Sequence, residues 1–120
     1  MAFQETLERV VTRTKGSSAG LVMALDGIVV DSYARPDSDT DVALFGAEVA
    51  AVLSQLRGRG AISLSSGKIE AVDLYAQNFH AVIRFLSDEY FVALAVKPGG
   101  QLGKARYLLR QAMPDLVSEL

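Results

Sequence analysis

Cysteine is absent from this 120-residue chain, so disulfides and thiolate-held metal sites are excluded. Histidine occurs once, at His80, which leaves no second imidazole for a histidine-rich metal site. An excess of positive charge is missing too: 12 basic side chains stand against 14 acidic ones. Bulk charge therefore recruits neither nucleic acid nor an anionic membrane. No apolar run reaches the roughly 20 residues that a membrane-spanning helix needs. The opening stretch MAFQETLERV carries Glu5 and Glu8 and has no long apolar core, so it does not read as a secretory signal. The expected location is the cytoplasm, with any placement at the cell poles left to partners. Internal repeats, low-complexity tracts and linkers are also lacking, and the length suits one domain over residues 1–120.

What the chain does have is apolar material. Half of its residues are hydrophobic, and mean hydropathy is +0.24. Phe3, Leu7, Val10 and Val11 fall on one helical face, with Gly16 placed to cap the end, which predicts a helix over about Ala2 to Lys15. Two apolar runs, Ala19–Leu25 and Ile28–Ser32, flank Asp26-Gly27, a strong hairpin signal. A polar loop follows, and Thr40 or Asp41 is placed to cap a second helix that ends near Gly58 and Gly60. Three strands are expected at Lys68–Ala76, Phe79–Ser87 and Tyr90–Lys97, forming an antiparallel meander. Leu102, Ala105, Leu109, Ala112, Leu116 and Leu120 mark the inner face of a last helix, which Pro114 is expected to kink. The order α-β-β-α-β-β-β-α predicts an α/β (α+β) chain with a five-stranded sheet and helices on both of its faces. Ala19–Leu25 and Tyr90–Val96 are apolar on both sides and belong side by side in the middle. Lys68–Ala76 mixes charged with apolar residues and suits an edge.

Residues that imitate chemistry do not assemble into a catalytic set. His80 sits in a strand with no base-orienting neighbour. Gly60–Lys68 and Pro98–Ala105 resemble phosphate loops, but the first has the wrong glycine spacing. In the second, Pro98 stands where a glycine belongs and Ala105 replaces the magnesium-binding hydroxyl residue. Asp37, Asp39, Asp41 and Glu48 follow a calcium-loop spacing, yet Val42 occupies the position that requires glycine. Acidic residues before a helix start have a simpler role at the positive end of its dipole. No cofactor, metal or catalytic residue is assigned, and the chain reads as a binding module rather than an enzyme. Arg35, in an exposed loop, and Arg57 and Arg59, at a helix end, are the candidate partner contacts.

Val42–Leu56, VALFGAEVAAVLSQL, carries that reading. Its one charged residue is Glu48, so it lacks the charged face of a surface helix. Val42, Phe45, Val49, Val52, Leu53 and Leu56 form a bulky stripe suited to the sheet. Ala43, Ala47, Ala50 and Ser54 form a row of small side chains that admits close approach of a second helix. This row, with Val72 and Leu74 on the edge strand, is the expected interface with a second copy of the chain.

The element order, together with GLVMALDGIVVDS (Gly20–Ser32), the apolar second helix, YFVALAV and the LGKAR opening of the last helix, resembles the Roadblock/LC7 family. The resemblance covers nearly the whole chain and leans, through GKARYLLR, toward the MglC branch of the bacterial MglB/MglC-type proteins. It implies a profilin-like fold and homodimers built through the second helix and third strand. It also implies work as an adaptor in a small-GTPase polarity or gliding-motility system. Implied partners are an MglB-type Roadblock protein, an MglA-type Ras-like GTPase reached directly or indirectly, and a response-regulator-type polarity protein. The alternatives are direct GTPase activation and a dynein-light-chain-like cargo adaptor.

Overall fold

The computed structural model describes residues 2–57 and 63–120. Its elements run α1 (Ala2–Arg13), β1 (Ser17–Ala24), β2 (Val29–Ala34), α2 (Val42–Arg57), β3 (Ser63–Leu64), β4 (Gly67–Lys68), β5 (Ala71–Tyr75), β6 (His80–Phe85), β7 (Tyr90–Val96) and α3 (Leu102–Ser118). Five strands form one antiparallel sheet in the order β2-β1-β7-β6-β5. The two doubly apolar strands, β1 and β7, are neighbours and are buried along almost their whole length. β5 is an edge, as its mixed composition suggests.

Asp26-Gly27 does turn the chain, through a three-residue loop. The Gly27 N–H donates to the Ala24 carbonyl at 2.9 Å, and the Ala24 N–H to the Ile28 carbonyl at 2.8 Å. Gly27 then takes a φ of 98°, the left-handed conformation that closes this hairpin type and that glycine adopts at no steric cost. α2 opens at Asp41, whose Oδ1 accepts the Leu44 N–H at 3.0 Å. Asp41 is thus the helix cap. Thr40 points elsewhere, with its hydroxyl on Ser18 Oγ at 2.9 Å.

Strand alternation divides the sheet residues between two cores. Val22, Val82, Val92 and Leu94 face α1 and α3, where they meet Leu7, Val11, Leu109 and Leu116. Leu21, Met23, Ile83, Phe91 and Ala93 face α2 and meet Phe45, Val49 and Leu53. α1 and α3 lie side by side in opposite directions. Arg9 and Asp115 pair at 3.2 Å near one end, and the Lys15 N–H reaches Gln101 Oε1 at 3.3 Å near the other.

One region differs from the sequence expectation. A small hairpin, β3–β4, precedes the edge strand, so β5 begins at Ala71 rather than Lys68. Lys68 instead pairs with Asp88 at 3.1 Å and ties that hairpin to the β6–β7 turn. Pro114 lies inside α3, which continues to Ser118; the missing N–H removes one ladder bond without ending the helix. Gly58 and Gly60, expected to stop α2, lie outside the described residues.

Candidate functional site: the outer face of the second helix and the open sheet edge

α2 sits on the sheet in a rotation set by its small residues. A β-carbon built on Gly46 would lie 2.5 Å from the Met23 methyl and 3.2 Å from Leu21. The absence of a side chain there lets the helix settle closely onto β1. Ala50, 4% exposed, turns onto the sheet with Phe45, Val49 and Leu53. The Ser54 hydroxyl donates to the Leu25 carbonyl at 3.1 Å, within the same chain. Of the expected outward row, Ala43 and Ala47 therefore face solvent, while Ala50 is packed inside and the Ser54 hydroxyl is engaged.

The same rotation leaves bulky residues outside. Leu44 is 55% exposed, Val52 41% and Leu56 53%. The expected assignment of Val52 and Leu56 to the sheet is corrected, because Gly46 and Ala50 take the contact side instead. With Ala43, Ala47 and Ala51, these three make the solvent face of α2 largely apolar, relieved by Glu48 and Gln55. Leu44 was legible in the sequence, since it lies opposite the Phe45–Val49–Leu53 stripe on a helical wheel.

This face adjoins the edge of the sheet. Glu48, Val49 and Val52 of α2, Leu74, Tyr75 and Ala76, and Phe79 line a groove of about 350 Å³. Val72 and Leu74, the edge-strand candidates, are half-buried and packed on the α2 side. Phe79 closes the groove by meeting Phe45 edge-on, with ring centroids 5.3 Å apart.

The two edges of the sheet are not alike. On β2 the outward groups of Ser32 are occupied: Gln4 Nε2 donates to its carbonyl at 3.3 Å, and its N–H donates to Asp31 Oδ1 at 2.9 Å. On β5 the Phe85 N–H bonds the Glu70 carbonyl and the Ala76 N–H bonds the Phe79 carbonyl, so residues of even number face β6. Ala71, Asp73 and Tyr75 then present their N–H and C=O groups outward. Among the described residues, no side chain covers them. An uncovered edge invites strand pairing.

The arginine candidates divide differently. Arg35 is not free in its loop. Its Nε donates to the Ser17 carbonyl, and Nη2 donates to the carbonyls of Val11 at 2.8 Å, Thr14 at 3.1 Å and Thr12 at 3.4 Å. A cation at these C-terminal carbonyls satisfies the orphan acceptors of α1 and complements its dipole. Arg35 is a capping residue of α1. Arg57 ends α2, but its side chain is not among those described, and Arg59 lies outside the described residues.

This arrangement has close counterparts among solved structures. MglC from Myxococcus xanthus is 36% identical, with all of both chains covered and a TM-score of 0.76. The chain belongs to the Roadblock/LC7 family, in its MglB/MglC-type branch. The gliding protein MglB of Thermus thermophilus shares its fold, with a TM-score of 0.80, 16% identity and coverage of 98% of this chain and 86% of that one. A Roadblock/LC7 domain from Streptomyces avermitilis does so as well, at a TM-score of 0.72, 16% identity and coverage of 94% and 96%. No family model and no curated protein matches the sequence. Among the described residues, no helix is long and apolar enough to cross a membrane. This Roadblock chain presents an apolar helix face, a groove beside it and an open strand edge on one side of the molecule.

Proposed function

We propose that the protein is a non-enzymatic homodimeric adaptor in a small-GTPase polarity or gliding-motility system. One observation carries this reading: the apolar outer face of α2 is continuous, through the groove at Val52 and Leu74, with the uncovered edge of β5. A surface of this kind is a liability on a free monomer and an asset in an assembly. A two-fold axis at this place pairs α2 with its copy and β5 with its copy, extending the sheet across both. Ala43, Ala47, Val72 and Leu74 belong to that interface. Leu44, Ala51, Val52 and Leu56 join them, replacing Ala50 and Ser54. The partners are an MglB-type Roadblock protein and, directly or through it, an MglA-type GTPase. A response-regulator-type polarity protein completes the set and brings the cytoplasmic adaptor to the cell poles.

The likeness to MglC supports the adaptor reading over direct GTPase activation. So does Arg35, whose guanidinium is committed to α1 and is not free to enter a partner's nucleotide site. Light scattering on the purified protein tests the dimer. Ala47→Glu places a charge in the interface, unpaired against apolar neighbours, and shifts the protein to monomer. A dimer that persists in this variant removes α2 from the interface. Multiple-turnover GTP hydrolysis by an MglA-type GTPase tests the adaptor role. Acceleration at saturating protein overturns it in favour of activation.

A further inference from the structure

The opposite face of the sheet carries a second surface, between α3 and strands β5 and β6. Arg106 donates to Asp73 Oδ2 at 3.0 Å and to the Tyr75 hydroxyl at 3.5 Å, which turns this flank of α3 toward β5. One turn on, Arg110 lies on the same flank by helical spacing, exposed and with no ion pair among the described residues. Met113, a further turn along, lines a cavity of about 540 Å³ together with Arg84 of β6. Arg84 is half-buried; its Nε is enclosed and has no hydrogen-bond partner. Across from it in register is Ala71, whose methyl group leaves the floor open.

Arg84 lines the cavity, and the flank of α3 that carries Arg106 and Arg110 leads to it past Met113, so that flank and cavity make one trough. Among the described residues, Asp73 on Arg106 is the one carboxylate paired with any of these three guanidinium groups. A partly buried arginine without an anion is an unfavourable arrangement that a carboxylate relieves through its two matched oxygens. We propose that this trough is a docking site for an extended acidic segment of a protein partner, with Arg84 and Arg110 receiving its carboxylates. A peptide suits the site better than a nucleic acid. The chain as a whole has a net charge of −2, and Glu70 lines the cavity with Arg84, beside the paired Lys68 and Asp88. Glu70 disfavours a continuous polyanion, whereas a peptide spaces its carboxylates apart. No residue of α2 lines the cavity among the described residues, so binding there does not depend on self-association through α2.

Fluorescence anisotropy of a labelled peptide of alternating Glu and Gly, about twelve residues long, tests the site on the intact protein. The peptide binds at low salt and weakens as salt rises. Arg110→Glu, an exposed change, and Arg84→Met, a change of similar length, each weaken it by about tenfold or more. Circular dichroism confirms that both variants fold, and the exposed Arg110→Glu keeps the test valid if Arg84→Met does not. Arg84→Lys restores part of the affinity. Absence of binding to the unaltered protein overturns the proposal, and so does equal binding by Arg110→Glu. A single-stranded DNA oligonucleotide that binds more tightly than the peptide, with the same losses in the variants, overturns the assignment of a peptide occupant.

Discussion

The Arg35 guanidinium and the Val11 carbonyl meet at 2.8 Å, joining the loop after β2 to the end of α1. The same fork holds Ser17 and Thr14, so one side chain satisfies acceptors on two segments. Arg35→Ala is expected to cost about 1.5–3 kcal/mol in urea unfolding, the range for hydrogen bonds from a charged donor. Arg35→Lys restores only part of this, because an ammonium is a point donor and not a planar fork. Full recovery by lysine would show that charge alone matters here.

Gly46 lies against Met23, and the space is too small for a β-carbon unless the flexible Met23 methyl shifts. Gly46→Ala should be close to neutral, because alanine gains about 1 kcal/mol in helix propensity while the methionine end is cheap to move. Gly46→Leu should destabilise by about 1–3 kcal/mol through overpacking against Met23 and Leu21. Thermal unfolding of the two variants separates these effects. Equal losses would mean that the helix does not rest as closely on β1 as the geometry states.

Asp41 caps α2 through the Leu44 N–H. Asp41→Ala should cost about 1 kcal/mol, and Asp41→Asn much less, because asparagine keeps the acceptor. Urea midpoints are the measurement. A large loss in Asp41→Asn would point to the negative charge at the helix start as the main contribution.

Ala71 carries an N–H that faces away from β6. Ala71→Pro removes that donor and leaves the ladder to β6 in place, a position where proline is tolerated. The expected result is an unchanged fold by circular dichroism and a dimer weakened by about tenfold in sedimentation, a loss of about 1.4 kcal/mol. An unaltered dimer would leave α2 as the whole interface.

The fold was legible because its signals are local. The Asp26-Gly27 pair, the doubly apolar β1 and β7, and the apolar period of α1 and α3 each state their own element. The rotation of α2 was not legible, because nearly every side chain on it is apolar or small, so the wheel has no polar face to fix its direction. Gly46, which fixes it, matters through a neighbour on another strand. The capping role of Arg35 was not legible for the same reason: its partners, Val11, Thr12, Thr14 and Ser17, lie far from it in the chain. Val72 and Leu74 were placed on an edge strand because strand alternation and a mixed composition are read along one segment; their packing on the α2 side was not.

Under the proposed dimer, the unequal edges of the sheet give the chain a valence of one for strand addition. Gln4 and Asp31 interrupt the run of free groups at Ser32, while Ala71, Asp73 and Tyr75 stay receptive. A chain with two receptive edges adds neighbours without end and grows into a fibre. With a single receptive edge, the first union uses up what a second would need, and growth stops at a closed pair.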